Sequence, residues 1–170
     1  LPPLRAGYPD LRLYLKEQKS ADLVESVRKG TLDVALLAFP FPTGDLEVRV
    51  FAEDTFWVAF PRGHALEARE RVPVAALHGK VLLLLEEGHC LRDQALSVCG
   101  VGTAAPNPDL QGSSLHTLAQ MADNGLGLTL LPKMAIDAGI AKGTRLQMRP
   151  LEGRGRSRDI GFAWRQSSPR

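Results

Sequence analysis

Short apolar segments alternate along the chain with segments whose apolar residues recur at helical spacing. Apolar runs and strict apolar–polar alternation predict β-strands, here at residues 11–15, 32–39, 46–51, 56–60, 81–85, 126–131, 146–148 and 160–164. Helical spacing and capping residues predict helices after Ser20, across residues 94–98 and after Ser114, with short ones at Pro73 and Pro132. The run at 81–85 has no polar face, so it predicts a strand buried on both sides.

Alternating strands and helices with short connections indicate an α/β fold with mixed, mostly parallel sheets. The character of the sequence changes near residue 53, where a second lobe is predicted to begin. Ligands of open α/β sheets bind beyond the carboxyl ends of the strands, often between lobes. Cys90 follows the strand at 81–85, and Ser20 follows the strand at 11–15, so both are placed where such a site is expected.

The composition is that of an ordinary folded domain, with 170 residues, 44% apolar, 24% charged and a net charge of +2. No apolar run has the length of a membrane span, and the N-terminus carries no signal-peptide pattern, so no membrane partner is expected. Because the sequence contains no cluster of basic residues, the chain is not expected to bind DNA by itself. Its abrupt start at Leu1 suggests a fragment of a longer protein.

Cys90 and Cys99 are the two cysteines of the chain, nine positions apart. In one helix their Cα atoms would lie about 13 Å apart along the axis, and in an extended segment roughly 30 Å apart. A disulfide needs Cα atoms within about 7 Å. Either these thiols never pair, or pairing requires the segment between them to refold.

The surroundings of Cys90 favour reactivity at that end of the segment. Cys90 is predicted at a helix start, where the positive end of the helix favours a thiolate, and Arg92 and His89 add a charge and a hydrogen-bonding group. Cys99 lacks this setting. The alternative is that both are inert buried cysteines, and for Ser20 that it is only a helix cap. No standard metal-ligand spacing is present, so no metal site is predicted, and two cysteines fit a reducing cytoplasm.

Two stretches resemble the effector-binding domain of LysR-type transcription regulators. The first is GSSLHTLAQMADNGLGLTLLP at residues 112–132, and the second is GTLDVA at residues 30–35. The segment GHCLRDQA at residues 88–95, with Cys99 beyond it, resembles the redox segment of the peroxide-sensing members of that family.

The resemblance implies two Rossmann-like lobes arranged as in periplasmic binding proteins. Lobe I would comprise residues 1–52 and 160–170, incomplete at both ends, and lobe II residues 53–159 with the redox segment. Hydrogen peroxide would oxidise Cys90, and Cys99 would resolve the product as an intramolecular disulfide. The residues implied around the peroxide are Ser20 (where threonine is usual), His89, Asp93 and Arg158, with Arg154 and Arg156 as neighbours of the last.

The resemblance also implies a regulator, not an enzyme, working in the cytoplasm without a cofactor. Its expected partners are hydrogen peroxide, further copies in a homodimer or homotetramer, and a reductant such as glutaredoxin or thioredoxin. Promoter DNA and RNA polymerase would be contacted through parts absent from this fragment.

Two alternatives stay open at the level of sequence. One is a binding module of the same fold that holds a small anionic or aromatic effector while its cysteines are inert. The other is a thiol peroxidase, which is disfavoured because no peroxidase motif surrounds Cys90.

Overall fold

The computed structural model describes residues 2–100, 109–153 and 155–167. The helices are α1 (Pro2–Gly7), α2 (Ser20–Arg28), α3 (Cys90–Cys99), α4 (Leu115–Asp123) and α5 (Lys133–Asp137). The strands are β1 (Val34–Phe39), β2 (Glu47–Phe60), β3 (Leu82–Leu85), β4 (Gln111–Gly112), β5 (Leu128–Pro132), β6 (Gln147–Pro150) and β7 (Ser157–Trp164), and 3₁₀ turns lie at Ala65–Ala68 and Val74–Leu77. No described helix is long and apolar enough to cross a bilayer.

The strands form one mixed sheet in the order β1-β7-β2-β5-β3-β4, with β6 paired to β2. The α/β class and the mixed sheet are confirmed, but the expectation of mostly parallel pairing is wrong. Among the described strands, β7 pairs antiparallel with β1 and β2, and β2 pairs antiparallel with β5 and β6. The parallel pairs among the described strands are those of β3 with β4 and with β5.

Two of the antiparallel strands are longer than the sequence predicted. β2 is continuous from Glu47 to Phe60, although a break was predicted between strands at 46–51 and 56–60. β7 begins at Ser157, three residues before the predicted start at residue 160. The two pair along most of their length, with an irregularity between Val50 and Ala52. β2 therefore runs through the predicted lobe boundary at residues 52/53, and β7 runs through the one at residues 159/160.

Buried side chains form two separate apolar clusters, a smaller one around α2 and β1 and a larger one around β3, β5, α3 and α4. The two clusters fit two lobes, while the division at residues 52/53 and 159/160 stays a prediction.

The predicted strand at residues 11–15 is wrong, because this segment has no regular structure. Its apolar side chains are exposed, at 46% for Leu11 and 75% for Leu15. No described strand pairs with it, and an extended segment without a hydrogen-bonded neighbour is not a strand.

The segment from β3 to α3 follows the sequence prediction closely. All four residues of β3 are buried. Gly88 turns the chain with a φ of +88°, a conformation that side chains other than glycine rarely adopt. α3 then begins at Cys90 and ends at Cys99, followed by Gly100 with a φ of +74°. The two cysteines are thus the first and last residues of a single helix.

Candidate functional site

Both cysteines are free thiols at opposite ends of α3. Nine residues of helical rise place their Cα atoms about 13 Å apart along the axis, well beyond the roughly 7 Å that a disulfide tolerates. The two sulfurs therefore cannot bond while α3 is intact.

The Cys90 end of α3 is tied to the preceding strand by Arg92. The Arg92 side chain is buried, and its Nη1 donates to the carbonyl of Leu85, at the end of β3, at 2.8 Å. Its Nη2 lies 4.0 Å from the carboxylate of the exposed Glu87. A permanent cation is therefore fixed one half-turn after Cys90, which itself is half-buried.

Cys99 has the opposite environment. It is 1% exposed and packs in the larger apolar cluster. Burial raises the pKa of the Cys99 thiol to about 11, and the nearby Arg156 guanidinium offsets part of that rise. Because only a thiolate is nucleophilic, Cys99 is an unreactive thiol in this conformation at neutral pH.

A cavity of about 550 Å³ opens along one side of α3, from Cys90 to Val98. Three segments line it: the loop after β1, the exposed face of α3 and the beginning of β7. The lining residues are Pro40, Phe41, Pro42, Cys90, Asp93, Gln94, Ser97, Val98, Gly155, Ser157 and Arg158. The predicted residues Cys90, Asp93 and Arg158 therefore share one cavity, whose volume lies in the ordinary range for small-molecule sites.

Arg158 is held at this cavity by a buried carboxylate. Its Nε and Nη2 donate to Oδ2 of Asp54 at 3.1 and 3.0 Å, and Oδ1 of Asp54 accepts the Met134 N–H at 2.9 Å. The Asp54 side chain is fully buried, whereas that of Arg158 is 15% exposed. A bidentate arrangement of this kind fixes the plane of the guanidinium, so Asp54 orients Arg158.

Gln94 links the helix to both sides of the cavity. Its Nε2 donates to the carbonyl of Ala38 in β1 at 3.2 Å, and its Oε1 accepts from Nη1 of Arg158 at 3.5 Å. Gln94 is buried. The first half of α3, β1 and β7 are therefore joined at one side chain, so a movement of α3 would disturb Arg158 as well.

Ser20 and His89 do not line the cavity. Ser20 is the first residue of α2, and the reading of Ser20 as the helix cap is wrong because Lys19 holds the cap position without a side-chain cap hydrogen bond. The Lys19 ammonium lies 2.8 Å from where a Cβ on Gly88 would be, which puts the start of α2 beside the turn before α3. His89 holds the cap position of α3, also without a side-chain cap bond.

Sequence reasoning missed Asp54 and Gln94, and it left three arginines close together as candidates. The structure separates two of them: Arg158 faces the cavity, while Arg156 donates from Nη1 to the carbonyl of Val98 at the other end of α3. Arg154 lies outside the described residues. The described residues contain no group of three or more His, Cys, Asp or Glu side chains placed to hold a metal.

The family model of the LysR substrate binding domain matches residues 1–170. The chain is 38% identical over 175 residues to a probable hydrogen peroxide-inducible genes activator of Mycobacterium avium, covering 100% of this chain and 56% of the relative. The chain thus spans about half the length of the curated relatives it matches.

The chain is also similar to solved structures of regulatory domains. The reduced form of the OxyR2 regulatory domain from Vibrio vulnificus matches with a TM-score of 0.89 and 36% identity, covering 99% of this chain and 79% of that one. The reduced OxyR regulatory domain from Pseudomonas aeruginosa matches with a TM-score of 0.87 and 33% identity, covering 99% and 79%.

Proposed function

The chain belongs to the LysR substrate-binding domain family, and from that premise we propose that it is the hydrogen peroxide-sensing regulatory domain of a transcriptional regulator. Support comes from relatives named as peroxide-inducible gene activators and from solved OxyR regulatory domains of similar fold. The observation that carries the proposal is the placement of two free thiols at the two ends of one helix, with Cys90 on a cavity that also holds Arg158.

In the first step, the Cys90 thiolate attacks one oxygen of hydrogen peroxide. A sulfur–oxygen bond forms, the oxygen–oxygen bond breaks, and the second oxygen leaves as hydroxide that takes up a proton to give water. Arg158, held by Asp54, provides N–H donors on the cavity side where the departing oxygen gains charge. Asp93 lines the same cavity, and Ser20 and His89 are proposed to complete the peroxide site from the adjoining turn.

In the second step, the Cys99 thiolate attacks the sulfur of the Cys90 sulfenic acid. The sulfur–sulfur bond forms, the sulfur–oxygen bond breaks, and the oxygen leaves as water after protonation. Because about 13 Å of helix separates the residues, α3 must unwind before this bond can form. Unwinding removes Leu91, Ala95 and Val98 from the larger apolar cluster, so oxidation would be coupled to a change of fold.

The partners of the chain are proposals. A relative in Escherichia coli is named a DNA-binding transcriptional dual regulator, so promoter DNA and RNA polymerase would be engaged by the rest of a longer protein. We propose a homodimer or homotetramer in the cytoplasm, with glutaredoxin or thioredoxin returning the disulfide to thiols. The chain would act as a sensor, not as a peroxidase.

Mass spectrometry after one equivalent of peroxide tests the proposal. Wild-type protein should lose two hydrogens and yield a Cys90–Cys99 crosslinked peptide. Cys99→Ser should instead gain one oxygen, trapped by a sulfenic-acid reagent, and Cys90→Ser should not react. A wild-type mass that stays unchanged would refute the proposal.

The cavity itself supports a second candidate, an effector domain whose cysteines are inert. A volume of about 550 Å³ with Arg158 and Phe41 in its lining suits a small anionic or aromatic ligand. This candidate requires no reaction with peroxide and a melting temperature that rises with such a ligand. A peroxidase, in contrast, would show rapid multiple turnover with thioredoxin.

A further inference from the structure

Arg156 connects the sheet to the far end of α3. Its backbone carbonyl accepts the Phe56 N–H of β2 at 2.9 Å, which anchors the residue. Its side chain extends to the last turn of α3, where Nη1 donates to the carbonyl of Val98. The residue thus lies between β2 and the helix that must open if Cys99 is to reach Cys90.

The C-terminal end of α3 depends on this contact. The Gly100 N–H donates to the carbonyls of Leu96 and Ser97. Arg156 donates to the carbonyl of Val98, which is one of the carbonyls that an α-helix leaves without an internal partner. The last turn of α3 contains no basic residue of its own. Arg156 therefore supplies, from another part of the chain, the cation that a helix C-terminus favours.

The same guanidinium is the charge that acts on Cys99. Its effect lowers the pKa of the Cys99 thiol, against the larger rise caused by burial. Cys99 packs in the larger apolar cluster, and residues 101–108, which follow it in the sequence, include no titratable side chain. The Arg156 Nε is buried and has no hydrogen-bond partner among the described residues.

We propose that Arg156 is a positioning residue for the resolving step: its guanidinium, placed on the Val98 carbonyl next to Cys99 in the chain, supports the Cys99 thiolate that attacks oxidised Cys90. The inference rests on the proposed function and deepens it. When α3 unwinds, the bond to Val98 is lost and the charge is free to face the sulfur of Cys99 as it gives up its proton. In the first step Arg158 would stabilise the negative charge on the departing oxygen, and in the second step Arg156 would stabilise the negative charge on the Cys99 sulfur.

The test compares the resolving rate across pH in wild-type protein, Arg156→Gln and Arg156→Lys. Peroxide is added in a rapid-mixing experiment, and quenched samples are analysed for sulfenic acid and disulfide by mass spectrometry. Arg156→Gln should shift the pH midpoint of disulfide formation upward and slow it by about three- to tenfold at neutral pH. Arg156→Lys keeps the charge and should keep the midpoint, and an Arg145→Gln control removes an exposed arginine without effect.

Sulfenic-acid formation at Cys90 should proceed at the wild-type rate in all these variants, which separates this inference from the proposed function. An unchanged pH profile in Arg156→Gln, with Cys90 still oxidised normally, would overturn it. The same loss in Arg156→Lys as in Arg156→Gln would also overturn it, because then the charge is not what matters. If wild-type protein forms no disulfide at all, the proposed function fails first and this inference falls with it.

Discussion

Replacing Asp54 with asparagine should destabilise the fold and slow the oxidation of Cys90. In the native protein, one carboxylate oxygen of Asp54 accepts two N–H groups of Arg158 and the other accepts the Met134 N–H. Asparagine keeps the shape but replaces one acceptor oxygen by an NH₂ group. Either Arg158 or the Met134 N–H must then lose its partner.

The structure sets the size of this effect. Removing one member of a buried ion pair costs about 3–5 kcal/mol because the other charge is left uncompensated. The Arg158 side chain is 15% exposed, so water can reach part of the guanidinium, and we expect about 2–4 kcal/mol. The chain offers a matched control in Arg28 and Asp45, which form an exposed pair at 3.1 Å. Asp45→Asn should cost no more than about 1 kcal/mol.

Urea unfolding gives the free energy of unfolding of both variants. The rate of sulfenic-acid formation at Cys90, measured on folded protein, reports on the chemistry of the site. Asp54→Asn should lower the free energy of unfolding and slow the reaction with peroxide, whereas Asp45→Asn should do neither. Equal and small losses in the two variants would refute the claim that the buried pair stabilises the fold. A wild-type oxidation rate in folded Asp54→Asn would show that Asp54 does not orient Arg158 for the chemistry.

Three further predictions concern the thiols and their cavity. Because folding raises the pKa of Cys99 from 9.0 to about 11, the folded state keeps a proton that the unfolded state loses. The free energy of unfolding of the reduced protein should therefore fall by up to about 2 to 3 kcal/mol between pH 9 and 11. Cys99→Ala should remove this slope, and a wild-type free energy of unfolding that does not change with pH would argue against the raised pKa. Iodoacetamide at neutral pH should modify Cys90 and spare the buried Cys99, which peptide mapping can check; equal labelling would contradict the burial. Asp93→Ala should slow Cys90 oxidation while the protein stays folded, because Asp93 is an exposed residue of the cavity wall; an unaltered rate constant would remove it from the site.

Features fixed by neighbours in the sequence were predictable. The apolar run at 81–85 and the helix start at Cys90 depend on local preferences, and the structure shows both, with the helix longer than the predicted residues 94–98. Cys90 was predicted from its position at a helix start and from Arg92 and His89 beside it, whereas Asp93 and Arg158 came from the family resemblance. Their presence around one cavity was an expectation that needed the fold to be observed.

Features that depend on distant partners were missed. Glu53 and Asp54 interrupt an apolar pattern and suggested a break between two strands, but Asp54 is buried because Arg158, far along the chain, neutralises it. The alternating pattern at residues 11–15 suggested a strand, yet no described strand lies beside it to complete the hydrogen bonds. The periodicity of a sequence shows which face of a segment is apolar. It does not show whether a neighbouring strand is present to form hydrogen bonds with that segment.

Amide hydrogen exchange across α3, measured on thiol and peroxide-treated protein together with disulfide mapping, tests the central claim most directly. In the thiol form the amides of the helix should be protected, and the Cys90–Cys99 bond should form together with a loss of that protection. A Cys90–Cys99 bond in a protein whose α3 amides remain as protected as before would contradict it, since the two sulfurs would then have met without opening the helix.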